Sequence, residues 1–307
     1  MRYAIETDDL SRRFGRNWAV RDLALRVSKG SFFAFVGPNG AGKTTTIKML
    51  LRLLRPTRGD GRLLDQPIRK LGPEHMGRVG YLAEHPDLPG WMTLDQYLAY
   101  LKPFYANWDD ELTAHLLREL QLPTDRKIRT LSRGTRLKAA LLSRLVYRPE
   151  LLILDDPFAG VDTLTREQLV DSVLQTGNGM GLTVFVSTHD LDEIEKLVDR
   201  IGFVSEGSLL LSEDLASLQQ RFRKVELVLD RPLGNVAFDM PPSWSSFQTN
   251  GRAVHFTDSE YCADESPRRI EGTLPGVREI SAVPMSLRSI SLAVQRTATS
   301  DRAAADR

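Results

Sequence analysis

Over the first two-thirds of the chain, short uninterrupted apolar runs alternate with longer stretches of helical period. Phe32-Phe33-Ala34-Phe35-Val36 is apolar on both faces and predicts a buried strand. Leu151 to Leu154 and Thr183 to Ser187 read the same way. Strands without a polar face are those covered by helices on both sides, so the pattern predicts an α/β fold with a central parallel sheet.

Between residues 90 and 146 the period becomes helical. Thr93 and Gln96 form a capping box ahead of one amphipathic run. Trp108, Leu112, Leu116 and Leu120 recur every four residues, with Asp109, Asp110 and Glu111 in the expected first turn, where the helix dipole favours them. Leu137, Leu141 and Leu145 mark a third helix. This is the pattern of a helical subdomain inserted into an α/β core. Beyond about residue 220, Val225, Leu227 and Leu229 share a strand face, and Pro and Gly punctuate the stretch after them. The organisation expected is a domain over 1–220, a small β-rich appendage over 221–295, and a disordered tail over 296–307.

Composition narrows the setting. Hydrophobic residues make up 41% and charged residues 26%, ordinary values for a soluble domain. A net charge of +1 gives no nucleic-acid-binding surface, and no nucleic acid is expected as a partner. The one cysteine, Cys262, excludes an internal disulfide framework and suits a reducing cytosol. The start, MRYAIETDDL, lacks a basic segment followed by an apolar core, so no secretory signal is expected. No apolar run approaches the length of a bilayer crossing, so any service to a membrane passes through a partner.

The chemistry begins at the end of the first buried strand. Gly37-Pro38-Asn39-Gly40-Ala41-Gly42-Lys43-Thr44-Thr45 satisfies G-x-x-x-x-G-K-[ST]. The glycines let the backbone curl so that N–H groups face phosphate oxygens, and the next helix adds its positive end. Lys43 is placed to reach β- and γ-phosphates, and the Thr44 hydroxyl to ligate Mg²⁺. Asp155 closes a second buried strand, at the carboxyl end where open α/β sheets bind ligands. A strand-end Asp alone reads as a turn cap; beside a phosphate loop it reads as a magnesium partner.

Further residues bring a family into view. Leu131-Ser132-Arg133-Gly134-Thr135-Arg136, ahead of a helix and the Asp155 strand, resembles the LSGGQ signature of ABC (ATP-binding cassette) ATPases. Asp156 comes directly after the metal aspartate, Ala159-Gly160-Val161-Asp162 resembles the D-loop, and Ser187-Thr188-His189 resembles the H-loop. Tyr81-Leu82-Ala83-Glu84 stands where the family has its Q-loop, and Phe14 where an aromatic ring stacks on adenine. The resemblance covers residues 1 to about 220. It implies a P-loop NTPase core of ABC type and MgATP bound between two cassettes. Each nucleotide would sit on one subunit's loop and the other's Ser132 and Gly134. His189 would hold the γ-phosphate and attacking water, and Asp162 would link the two sites. The implied partners are a second cassette, identical or not, and integral membrane permease subunits, with this chain peripheral on the cytoplasmic face.

Three departures qualify the implied activity. Asp156 stands where the family has a catalytic Glu, and one methylene fewer retracts the carboxylate by about 1.5 Å, a misplacement able to slow turnover on the order of a hundredfold. Glu84 replaces Gln, keeping an oxygen for Mg²⁺ but losing an amide donor. Arg133 and Thr135 alter the signature. The function expected is ATP hydrolysis coupled to transport, with export suggested by the appendage and the Ser286 to Leu292 stretch. The alternatives are a slow or regulatory cassette paired with a more active one, and a soluble ABC ATPase outside transport. Six aromatics between Trp91 and Trp108 are expected to divide between the subdomain core and a permease-docking surface.

Overall fold

A computed structural model describes residues 2–178, 181–191, 194–234 and 238–305. The chain divides into two units, Met1–Ser212 and Glu213–Arg307.

In the first unit the strands are β1 (Tyr3–Phe14), β2 (Asn17–Leu23), β3 (Arg26–Ser28), β4 (Phe32–Val36), β5 (Arg58–Leu63), β6 (Gln66–Pro67), β7 (Val79–Leu82), β8 (Leu151–Asp155), β9 (Thr183–Thr188), β10 (Arg200–Ser205) and β11 (Ser208–Asp214). The helices are α1 (Lys43–Leu50), α2 (Pro73–Met76), α3 (Leu94–Leu101), α4 (Asp110–Glu119), α5 (Arg133–Leu145) and α6 (Thr163–Asn178). Six strands form one sheet in the order β11-β10-β4-β9-β8-β7, and β10, β4, β9, β8 and β7 run parallel. Every residue of β4, β8 and β9 is buried, as their apolar runs require. Phe33 and Phe185 stack across β4 and β9 with ring centroids 5.8 Å apart. A second, antiparallel sheet in the order β2-β1-β5-β6, with β3 on β1, shares the core of Phe33, Phe35, Ile47, Ile153 and Phe185.

Helices α3, α4 and α5 all lie between the neighbouring strands β7 and β8, the insertion expected from the change of period. The capping box is formed: Gln96 N–H donates to Thr93 Oγ1 at 3.2 Å, and Thr93 N–H to Gln96 Oε1 at 3.0 Å. α4 starts later than the leucine spacing suggests. The Asp109 carboxylate accepts from Leu112 N–H at 2.8 Å and so acts as the cap, leaving Trp108 outside the helix. Of the clustered aromatics, Tyr97 is buried and Tyr105 stacks on Tyr147, whereas Trp91, Tyr100 and Phe104 are exposed at 68%, 55% and 65%.

The second unit contains α7 (Leu215–Arg221), β12 (Arg223–Leu229), β13 (Trp244–Asn250), β14 (Ala253–Asp258), α8 (Ser266–Thr273), β15 (Val277–Pro284) and α9 (Leu287–Ala305). Its antiparallel sheet, β13-β14-β12-β15, is filled by Val225, Leu227, Leu229, Trp244, Phe256 and Ile270. Three expectations are corrected here. The boundary falls at 212/213 rather than 220/221, and the unit mixes helices with its sheet; Arg221 on α7 bonds Glu213 and the Ser259 carbonyl, tying that helix to the appendage. The tail expected to be disordered from 296 is instead helix to Ala305, in a stretch whose alanines favour it, while 306 and 307 lie outside the described residues.

Asp109 offers a test of the subdomain. Its carboxyl is held below its ordinary range chiefly by the Leu112 amide, against the opposing pull of burial and with help from Arg148. A depressed folded-state value means that the stabilisation is present above the ordinary carboxylate range and lost as pH falls through the lowered value. Asp109→Ala should therefore cost about 1–2 kcal/mol near neutral pH, and the deficit in thermal midpoint should shrink on acidification.

Candidate functional site

The loop after β4, Thr188 and His189 at the end of β9, Asp155 and Asp156 at the end of β8, and Glu84 after β7 all lie at the carboxyl ends of four parallel strands that adjoin in the sheet. Phe14, Ala19, Asn39, Gly40, Gly42, Lys43, Thr44, Thr45, Glu84, Asp155, Asp156 and His189 line one cavity of about 530 Å³, within the range of small-molecule sites.

The loop is shaped by close backbone approach. Gly37 N–H donates to the Thr188 carbonyl at 3.2 Å. Gly42 takes φ +99°, and a Cβ there would lie 2.3 Å from the Ala19 carbonyl oxygen. Gly42 also begins α1 with no side-chain cap and no acidic residue in the first turn, so the helix's N-terminal amides are left for an anion. Pro38 and Ala41 complete the turn, with Ala41 N–H bonded to the Pro38 carbonyl at 3.1 Å.

Lys43 is 7% exposed and folds back on the loop, its Nζ donating to the Gly37 carbonyl at 2.7 Å and the Pro38 carbonyl at 3.1 Å. Burial lowers its pKa, and Asp156, Asp155 and Glu84 partly oppose that shift. These carboxylates outnumber the one lysine before any nucleotide enters. An anionic guest would thus require a compensating cation. The oxygens of Thr44, Asp155 and Glu84 in one cavity suit a hard divalent ion such as Mg²⁺. Such an ion takes few protein ligands and completes its shell on phosphates and water, so it needs no dedicated cage of side chains. Among the described residues no three His, Cys, Asp or Glu form such a cage.

The two adjacent aspartates differ in setting. Asp155 is 3% exposed, and its Oδ1 accepts from Thr44 Oγ1 at 3.1 Å and Ser187 Oγ at 2.7 Å. Asp156 takes φ +48°, with its N–H shared between the Ser187 carbonyl at 3.0 Å and Oγ at 3.2 Å. Its Oδ2 lies 2.7 Å from His189 Nδ1, and its Oδ1 is buried without a hydrogen-bond partner. Because an ionised carboxylate only accepts, this contact places a proton on His189 Nδ1.

Ser132, Gly134 and Asp162 are not part of this cavity. Ser132 caps α5, its Oγ accepting from Thr135 N–H at 3.1 Å, and Asp162 Oδ1 accepts from Thr165 N–H at 2.9 Å at the start of α6. Arg133 donates to the Ala159 carbonyl at 2.7 Å, joining the signature-like segment to the D-loop-like one. Glu84 also lines a neighbouring groove of about 440 Å³ with Arg129, Arg133, Arg136 and Leu137. Three contributors are missed by sequence reasoning. Ala19 limits the loop and Ser187 bridges the aspartates. The Arg12 guanidinium lies 4.6 Å from the centroid of the half-exposed Phe14 ring, an i, i+2 relation on a strand that could have signalled it.

The family model for ABC transporters matches residues 20–159. The chain is 32% identical over 222 residues to the bacitracin transport ATP-binding protein BcrA of Bacillus licheniformis, covering 72% of each chain. It is 34% identical over 204 residues to the carnitine transport ATP-binding protein OpuCA of Listeria monocytogenes, covering 64% of this chain and 51% of that one. A solved ATP-binding subunit of an ABC transporter superposes with TM-score 0.64 at 26% identity, covering 71% of this chain and 92% of that one. A dimeric cassette in a post-hydrolysis state, bound to ADP and Pi, shares the fold at TM-score 0.60 and 21% identity, covering 69% and 98%.

Two glycine variants separate strain from collision in the loop. Both Gly40→Ala and Gly42→Ala would place a side chain at positive φ, at about 1–2 kcal/mol, but only Gly42 meets a backbone oxygen. Titration with a fluorescent ATP analogue should show severalfold weakening for Gly40→Ala and more than tenfold for Gly42→Ala. Equal losses would mean that the Ala19 contact does not shape the site.

Proposed function

This chain belongs to the ABC transporter ATP-binding family and is an ATP-hydrolysing subunit of transport; from that premise we propose that it works as one cassette of a dimer at the cytoplasmic face of the membrane, driving export through separate permease subunits. The observation that carries the reading is the convergence of Lys43, Thr44, Glu84, Asp155, Asp156 and His189 on one cavity.

The residues divide the work by chemistry. Lys43 exchanges its two loop carbonyls for β- and γ-phosphate oxygens, which reward the ammonium more strongly because they are charged. Asn39, Gly40, Gly42 and Thr45 line the phosphate end, and Phe14 offers a face for adenine with Arg12 on the ring. Thr44, Asp155 and Glu84 would hold Mg²⁺, which supplies charge neutralisation at the β/γ oxygens. Asp156 orients the attacking water, while His189 fixes its Oδ2. Water oxygen bonds the γ-phosphorus, the bond to the β-phosphate oxygen breaks, and ADP and phosphate leave.

Ser132, Gly134 and Asp162 lie outside the cavity because they act on the partner cassette, with Ser132 and the Gly134 amide meeting the partner's γ-phosphate at the start of α5. Glu84, which lines both cavity and groove, would pass the state of the nucleotide to the permease. The exposed Trp91, Tyr100 and Phe104 would anchor that subunit. No described helix is long and apolar enough to cross a membrane, and in this reading the crossing belongs to the permease. A second reading, a slow cassette paired with a better-equipped one, is favoured by Arg133, which bonds Ala159 instead of leaving the signature open.

Asp156→Asn should cut ATP turnover at least a hundredfold while leaving ATP affinity within severalfold, so that an ATP-loaded dimer accumulates on size-exclusion chromatography. Parent-level turnover in that variant would remove Asp156 from catalysis. Turnover restored only on adding a second cassette would select the unequal pair.

A further inference from the structure

One buried hydroxyl lies between the two aspartates. Ser187 is fully buried and pairs with Asp155 across the parallel β8–β9 ladder, so both side chains project from the same face. Its Oγ donates to Asp155 Oδ1 at 2.7 Å and accepts from Asp156 N–H at 3.2 Å. With Thr44 Oγ1 at 3.1 Å, Asp155 Oδ1 has two donors, whereas among the described residues no hydrogen bond reaches Oδ2.

We propose that Ser187 is a positioning residue whose single hydroxyl sets two adjacent carboxylates to different tasks: it pins Asp155 by Oδ1, leaving Oδ2 for the magnesium shell, and braces the Asp156 backbone so that its side chain meets His189. The inference rests on the Mg²⁺ role given above to Asp155. A carboxylate held by one donor rotates about its Cβ–Cγ bond, and rotation exchanges the oxygen offered to the ion. Two donors on one oxygen stop that exchange. Without its hydroxyl, residue 187 would still accept from Asp156 N–H through its carbonyl at 3.0 Å, but Thr44 alone would hold Asp155. The primary loss is therefore in metal affinity, since groups that orient a metal-binding carboxylate cost about ten- to a hundredfold when removed.

The test uses the full chain with Ser187→Ala, Ser187→Thr and Asp155→Asn, reading Mn²⁺ binding with ATP by electron paramagnetic resonance and ATP binding in EDTA by titration. Ser187→Ala should weaken Mn²⁺ about tenfold, leave metal-free ATP affinity within twofold, and show a turnover deficit that high Mg²⁺ partly relieves. Ser187→Thr, which keeps a hydroxyl, should stand nearer the parent if its thermal midpoint shows that the methyl is accommodated. Unchanged Mn²⁺ affinity in Ser187→Ala beside a large loss in Asp155→Asn overturns the role of Ser187 alone. Unchanged affinity in both overturns the metal role of Asp155 with it. Equal losses of metal-bound and metal-free ATP affinity would mean that Ser187 supports the loop in general, and also overturn the proposal.

Discussion

Backbone hydrogen bonding between β8 and β9 sets Asp155 opposite Ser187, and the geometry of the nucleotide cavity depends on that register. Side chains alternate along a strand, so a slip of one residue would send the aspartate and the serine to opposite faces of the sheet. What prevents the slip is apolar. Ile153 lies beside Phe185 in the ladder, and Phe185 stacks on Phe33 of β4, all in one buried cluster. Removing one such ring costs about 3–5 kcal/mol, more than any single polar contact in the site contributes. The chemistry is polar, but its positions are held by the apolar layer beneath it.

The same sheet explains an electrostatic arrangement that is unfavourable taken alone. Lys43 is buried, which weakens its hold on a proton, and three carboxylates face the cavity around it. The lysine answers to the loop carbonyls, Asp156 to His189, and Asp155 to two hydroxyls. The lysine's contacts are hydrogen bonds that phosphate oxygens can replace with charged partners, while those of the two aspartates hold the carboxylates in place. A site satisfied in this way keeps its shape while the guest is absent, and binding then exchanges partners instead of ordering the chain.

The parts legible in the sequence are those whose physics is local. A buried strand shows as an apolar run, a phosphate loop as glycines between that run and a helix, and a capping box as Thr93 with Gln96 three residues on. Asp155 is readable because the strand it ends is unmistakable. The misreadings concern contacts between residues that the pattern does not connect. The unit boundary depends on Arg221 reaching Glu213 and Ser259, which no composition shift records. The leucine spacing draws Trp108 into a helix that the Asp109 carboxylate cuts short. Ser187 is visible only as part of a motif; its bridging role needs the pairing of β8 with β9, strands distant in the chain. Arg133 resembles damage to a glycine-rich signature, because its partner, the Ala159 carbonyl, is set by the packing of α5 on α6.

That arginine bears on whether the altered signature is degraded. α5 starts with Arg133 and Arg136 and no acidic residue in its first turn, an order that opposes the helix dipole by roughly 0.3–1 kcal/mol per charge. Arg133 recovers part of this through the Ala159 carbonyl, which also fixes the segment carrying Ser132 to the one carrying Asp162. The family's glycine at this position could make no such link. In the proposed cassette dimer, a γ-phosphate at the start of α5 would supply the anion that its first turn lacks. In that proposal the charge that is unfavourable in the separate chain would become favourable on closure over the nucleotide.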